Sequence, residues 1–409
     1  MSLPLPRFIQ TNPSLALFAL MATALSGFGQ TFFISIFGSS LRDTFELSNA
    51  TYGTYYSLAT LCSAIVLVRL GTIVDRWSLA NTITLALGLL GASALMLGTA
   101  AHWLLLIPGF FLGRLGGQGM MTHIGFTAAS RYFERDRGKI MALTVSGLPL
   151  SEALLPAAGG LILAAWGWRS PWLLGAAFLF LLALPLMRWL ARDARHPSAF
   201  RSHAHEDGDG ASASGFTRRQ ALRDPGLYMA LPGVLAVPFT VTAILFHQTA
   251  IAEIRGWSLE HIALAFSGYA LGHFLMLFVA GPLVDRIGAR RSLTMGLYPM
   301  VAGLVVMALT HAVWTPFLYL ALTGMSQGFA GTAGNALWPE RYGVAHIGSI
   351  RSLAQAAMVL STSASPVLAG LALDAGVTPA GLGLTLAGAT VAASLMLLLV
   401  PDTPRSSAP

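Results

Sequence analysis

Arg114 and Glu152 are the residues of this sequence best placed to do chemistry. Each interrupts a long apolar run, LLLIPGFFLGRLGG around Arg114 and LPLSEALLPAAGG around Glu152. Among 17 Asp and Glu and 24 Lys and Arg, these two alone fall deep inside such stretches. A charge at the centre of an apolar span costs about 2.5–3.5 kcal/mol on insertion scales, so it usually faces a partner or a water-filled cavity. A guanidinium is a planar fork matched to a carboxylate. Burial disfavours a charged carboxylate and a nearby guanidinium favours it. An organic anion that drew Arg114 away would therefore ease protonation of Glu152 and couple the anion to a proton. A static ion pair fixing two helices is the other reading of the same two residues. Gln118 is one helical turn beyond Arg114 on the same face and is a candidate cavity hydrogen-bonder. His123, nine residues on, points the opposite way and reads as packing.

The elements that must position these groups are membrane helices. The 409 residues are 55% hydrophobic and 10% charged, against about 25% charged in soluble domains. That excludes a soluble enzyme, a disordered chain and a disulfide scaffold. Runs of about 20 apolar residues predict twelve helices, at 14–37, 51–70, 80–100, 103–130, 138–165, 170–190, 227–250, 262–284, 291–311, 314–338, 347–372 and 378–400. The fold class expected is all-α integral membrane, since lipid cannot satisfy an open backbone. Arg114 then lies about 16 Å in from Trp103, and Glu152 about 21 Å up from Gly138, at 1.5 Å per residue. The turn RYFERDRGK joins these two antiparallel spans, so both charges are expected at similar depth and in contact, directly or through water. The first apolar run is too long for a signal-peptide core.

The net charge of +7 is topological rather than a nucleic-acid footprint. With the N-terminus inside, cytoplasmic segments hold 20 Lys and Arg and outer loops hold 3, so both termini are expected in the cytoplasm. Residues 191–226 are the one long polar stretch and read as a cytoplasmic linker. It divides the chain into an N-terminal six-helix bundle, 1–190, and a C-terminal one, 227–409. The halves repeat. Gly71-Thr-Ile-Val-Asp75-Arg76 recurs as Gly281-Pro-Leu-Val-Asp285-Arg286, Gln118-Gly119 as Gln327-Gly328, and Pro156-Ala-Ala-Gly159 is echoed by Pro366-Val-Leu-Ala-Gly370. Three pairs in order at nearly one offset predict two bundles related by an axis along the membrane normal. In the repeated loop, Asp can complement a helix N-terminus and Arg can pair with acidic groups, so Gly71, Asp75, Arg76, Gly281, Asp285, Arg286 and Arg290 are candidate gate residues. Plain positive-inside anchoring is the alternative. Cys62 is the single cysteine. No Walker-type loop, paired metal ligands or Ser/His/Asp set is present, so no enzyme activity, cofactor or metal is expected.

With these features the sequence resembles the major facilitator superfamily over essentially its whole length. Arg131-Tyr-Phe-Glu-Arg-Asp-Arg137-Gly138, Trp166-Gly-Trp168-Arg169 and Glu340-Arg341-Tyr342-Gly343 resemble the monocarboxylate transporter and oxalate:formate antiporter branch. Helix 1 reads Ser26-Gly27-Phe28-Gly29-Gln30, without that branch's Asp-Gly. Ser151 to Gly160 partly resembles the antiporter motif. The resemblance implies a cavity lined by helices 1, 4, 7 and 10, which adds Gln30, His247 and Gln248 to Arg114, Gln118 and Gln327 as candidate substrate contacts. It also implies that helices 5 and 8 meet, which makes His273 a candidate proton-coupling partner of Glu152. The expectation is a monomeric, multi-pass transporter of the bacterial inner membrane. Its substrate is a small organic anion, a carboxylate, moved by alternating access as a proton symporter or an exchanging antiporter. A drug or metabolite efflux antiporter is the alternative within transport, and a sensor without flux the alternative outside it.

Overall fold

An apolar backbone without solvent partners closes its hydrogen bonds within each segment, and helix is what results. The computed structural model describes residues 12–133, 137–192, 194 and 215–401, and no strand is present among them. The helices are α1 (Pro13–Leu25), α2 (Thr31–Ile34), α3 (Gly38–Phe45), α4 (Asn49–Leu70), α5 (Leu79–Gly98), α6 (Leu106–Gly113), α7 (Thr122–Tyr132), α8 (Arg137–Val145), α9 (Gly147–Trp166), α10 (Arg169–Phe178) and α11 (Leu184–Leu190). Further along the chain come α12 (Arg218–Arg223), α13 (Pro225–Phe246), α14 (Gln248–Arg255), α15 (Leu259–Ile287), α16 (Ala289–Leu309), α17 (Thr315–Tyr342), α18 (Ile347–Asp374) and α19 (Pro379–Leu398). Two π-helical segments, Arg114–Met121 and Leu179–Ala183, join α6 to α7 and α10 to α11.

Among the described residues nine helices are long and apolar enough to cross a membrane, or ten if the bent pair Pro13–Gly29 and Thr31–Phe45 counts as one span. The sequence predicts twelve. The two runs that fall short, at 103–130 and 314–338, are helical. They carry Arg114, Gln118, Gln327 and many glycines, which dilute their apolar character. Other expected spans are interrupted. The first breaks at Gln30, whose backbone is extended. The fifth breaks at Ser146, and the seventh at His247, where α14 begins. The end of the expected linker is also ordered: Thr217 and Gln220 form a capping box for α12, and Ala221 is buried.

Contacts gather the chain into two units, Met1–Glu46 with Leu58–Asp209 and Leu47–Ser57 with Gly210–Pro409. In the first, α1 packs on α7, α8 and α9, and α5 packs on α6, α10 and the π segment. In the second, α17 packs on α15 and α16, and α13 on α18 and α19. Glycine sets the closeness of α15 to α17: a Cβ at Gly324 would overlap the Tyr269 carbonyl. The first turns of α4 belong to this unit. Asp374 accepts from the Asn49 and Ala50 amides at 3.1 and 2.8 Å, capping that helix N-terminus. Tyr52 stacks on Phe246 at 4.7 Å.

Where α13 starts, Asp224 accepts from the Gly226 amide at 3.1 Å and from the Tyr342 hydroxyl at 2.8 Å, and pairs with Arg341 at 2.7 Å. Both charged side chains are at least 95% buried. Burial alone would push the Asp224 carboxyl up. The bonds from Tyr342, Arg341 and Gly226 outweigh it and hold the group below its ordinary value. A lowered folded value gives stability that is present above the unfolded value, near ~3.9, and is lost as pH falls through the folded one. Asp224→Asn is expected to cost about 3–5 kcal/mol, because it leaves a buried guanidinium uncompensated. The apparent Tm in detergent should fall and should no longer show the acid-dependent step. An unchanged Tm would contradict this role.

Candidate functional site

The break in the first span is built by close approach. A Cβ at Gly29 would overlap the Gly113 carbonyl, and one at Gly117 would lie 2.7 Å from the Gly29 Cα. On the other side, a Cβ at Gly27 would lie 2.8 Å from Ser151 Cβ and 2.7 Å from Leu155. The turn Ser26–Gly29 is therefore wedged between the π segment and α9, with no room for a side chain at Gly27 or Gly29. After it the chain extends at Gln30 (φ −90°, ψ 155°) and resumes as α2. Breaks of this kind free backbone groups that membrane proteins use for ligands.

Arg114 opens the π segment and reaches this break. Its guanidinium donates to the Gly29 carbonyl at 3.3 Å and lies 3.5 Å from the Thr31 hydroxyl. It is 2% exposed. The π segment is itself a local departure of the kind that recurs at functional sites. Glu152 follows Ser151, the residue pressed on Gly27, and is 4% exposed. Arg114 thus meets the broken turn from the π segment, and Glu152 is buried on α9, the helix that packs on the turn's other side. Gln30 is half-buried in the break itself and Gln118 is exposed. Arg114, Glu152, Gln30 and Gln118 all belong to the first unit. Thr31 and the Gly29 carbonyl are members that sequence reasoning passed over, although the paired glycines Gly27 and Gly29 are a readable break signal.

Gly29→Ala is expected to destabilise the first unit by about 1–3 kcal/mol, because the added methyl meets backbone that cannot yield. Thermal unfolding in detergent checks this; an unchanged Tm would show that the wedge is dispensable.

The remaining candidates lie in the second unit. His247 is buried and its Nε2 lies 2.7 Å from the Pro366 carbonyl. Gln248 is fully buried and donates to the Tyr319 hydroxyl, leaving its amide oxygen without a partner among the described residues. Tyr319 was not anticipated; only its place as a polar tip in an apolar run could have signalled it. His273 is buried, with its ring 6.2 Å from that of Tyr269. Gln327 is half-buried.

In the second copy of the repeated loop, Gly288 adopts φ +82° and α16 begins immediately after it. Glu340 accepts from the Ala289 amide at 2.7 Å, and Arg290 donates to the Val400 carbonyl. Asp285 and Arg286 are exposed, as is Arg76; the Asp75 side chain lies outside the described set. A Cβ at Gly71 or Gly281 would meet nothing within 4 Å among the described residues. Among the described residues no group of three His, Cys, Asp or Glu could hold a metal.

The sequence profile described as Major Facilitator Superfamily matches residues 19–249 and 233–409. No curated protein matches the chain significantly in sequence. Among solved structures, a bacterial homologue of the human lysosomal transporter Spinster, inward-facing and unoccupied, is similar with TM-score 0.69 and 16% identity, covering 97% of this chain and 96% of that one. Its occupied form gives 0.70 and 15%, covering 96% and 98%. A mutant of the nucleoside transporter NupG gives 0.69 and 12%, covering 95% and 99%. Identities this low speak for the fold alone.

Proposed function

Because the chain belongs to the major facilitator superfamily, and is therefore a multi-pass membrane transporter and not an enzyme, we propose that it moves a small organic anion, a carboxylate, by alternating access. Arg114 receives the carboxylate at the broken first span, with Gln30 and Gln118 as nearby hydrogen-bonding groups. Glu152 carries the coupling proton, or holds its charge while substrates exchange. His247, Gln248 and Gln327 complete the substrate contacts from the second half, and His273 assists Glu152. The repeated loops with Gly71, Asp75, Arg76, Gly281, Asp285, Arg286 and Arg290 stabilise one gated state. In this reading the chain has twelve spans in two six-helix bundles, residues 1–190 and 227–409, with both termini in the cytoplasm of a cell whose inner membrane holds it.

The observation that carries the proposal is the 2% exposed guanidinium of Arg114, held 3.3 Å from the Gly29 carbonyl at a helix break. A buried cation aimed at a broken helix is suited to an anionic ligand, since water there does not screen it. The test is a substrate panel in proteoliposomes with an imposed pH gradient, spanning carboxylates, nucleosides, sugars and lipophilic cations. Uptake confined to carboxylates, and driven by the gradient or by internal carboxylate, is the expected result. Accumulation of neutral or cationic solutes without carboxylates would overturn it.

A further inference from the structure

The first copy of the repeated loop departs from the second: Arg76 is followed by Trp77-Ser-Leu-Ala rather than by a glycine and a basic pair. In the structure this departure forms one wall of an open cavity of about 680 Å³, lined by Arg76, Trp77, Ser78, Asn81, Thr84 and Leu85. Arg188, from the end of α11, donates to the Thr84 hydroxyl at 2.8 Å, so a second guanidinium stands at its rim. Arg76 and Arg188 are both exposed. Ser78 and Asn81 add a hydroxyl and an amide. Of the residues assigned above to transport, Arg76 of the first loop is the one that lines this cavity.

We infer that this cavity binds the headgroup of an anionic glycerophospholipid, with Arg76 and Arg188 on the phosphate and Ser78 and Asn81 on the polar part of the headgroup. The shared chemistry is a phosphate ester, and three features favour a lipid over a soluble phosphate. The indoles of Trp77 and Trp189 are 45% and 51% exposed, and exposed tryptophans mark the membrane interface. Arg192 covers the Trp189 ring at 4.7 Å, which adds a third cation beside Arg188. Leu85 lines the cavity and Leu186 is 41% exposed one turn before the α11 terminus, leaving apolar surface for acyl chains. Cations at such a surface attract acidic lipids, each contributing about fivefold in affinity. In the orientation proposed above, the lipid comes from the cytoplasmic leaflet.

The test uses the full chain, purified in detergent and examined by native mass spectrometry with phosphatidylglycerol, phosphatidylcholine or glycerol 3-phosphate added. The wild type should retain phosphatidylglycerol in preference to phosphatidylcholine. The Arg76→Gln/Arg188→Gln double variant should weaken that retention about 10- to 30-fold. Arg218→Gln/Arg219→Gln, which removes the same charge elsewhere, should leave it unchanged. A second measurement needs no variant: in nanodiscs, residues 76–85 should exchange amide hydrogen more slowly with phosphatidylglycerol than with phosphatidylcholine. Equal losses in both double variants, equal exchange in the two lipids, or complete displacement by glycerol 3-phosphate would overturn the assignment. The last outcome would point to a soluble phosphate ester instead.

Discussion

Arg114→Gln is expected to reduce carboxylate uptake by ~30-fold or more while the protein still folds. Removing one member of a buried, hydrogen-bonded charge interaction typically costs about 2–5 kcal/mol, and in this site the ligand is the group left unpaired. The substitution keeps a donor near the Gly29 carbonyl, to which Arg114 now donates at 3.3 Å, so the helix break should survive. Arg114→Lys is a finer probe. It keeps the charge and loses the planar fork, so it should fall between wild type and Arg114→Gln. Uptake by Arg114→Gln within a few-fold of wild type would mean that the guanidinium only holds the break together.

Glu152→Gln is expected to abolish the response of uptake to a pH gradient while sparing counterflow. Glutamine keeps the shape and hydrogen-bonding capacity of a protonated glutamate but cannot titrate. In a symporter the wild type should accumulate substrate when the outside is the more acidic side, since Glu152 loads its proton there. One pH unit is worth about 1.4 kcal/mol per proton, roughly tenfold in accumulation. The variant should equilibrate substrate without concentrating it, at every gradient. A retained pH response would assign the proton elsewhere, with His273 the next group to replace. Loss of uptake and counterflow together, with folding intact, would favour a static Arg114–Glu152 pair.

The family was legible in the sequence because its signals are local and repeated. A glycine, an aspartate and an arginine recur in one order in the two halves, and apolar runs of bilayer length separate short charged turns. Burial of Arg114 and Glu152 was legible because no other charge lies deep in their segments. Irregular backbone was not. Periodicity reads a helix through Gln30, Ser146 and His247, whereas tertiary crowding at Gly27, Gly29 and Gly117 decides where the first span breaks. The π segment from Arg114 to Met121 has the same apolar pattern as an α-helix and leaves no mark in composition. The Asp224–Arg341 pair joins residues 117 positions apart. Asp224 before Pro225 is a readable cap signal, but nothing beside it in the sequence points to a cation so far along the chain.

The most direct test of an anion pathway at Arg114 is counterflow in proteoliposomes with pairs of substrates that differ only in charge, a carboxylate and its primary amide. The wild type should exchange the carboxylate and reject the amide, and Arg114→Gln should lose exchange of the carboxylate. If the wild type exchanges amide and carboxylate equally well, the guanidinium does not read the anion, and the proposed substrate class is wrong.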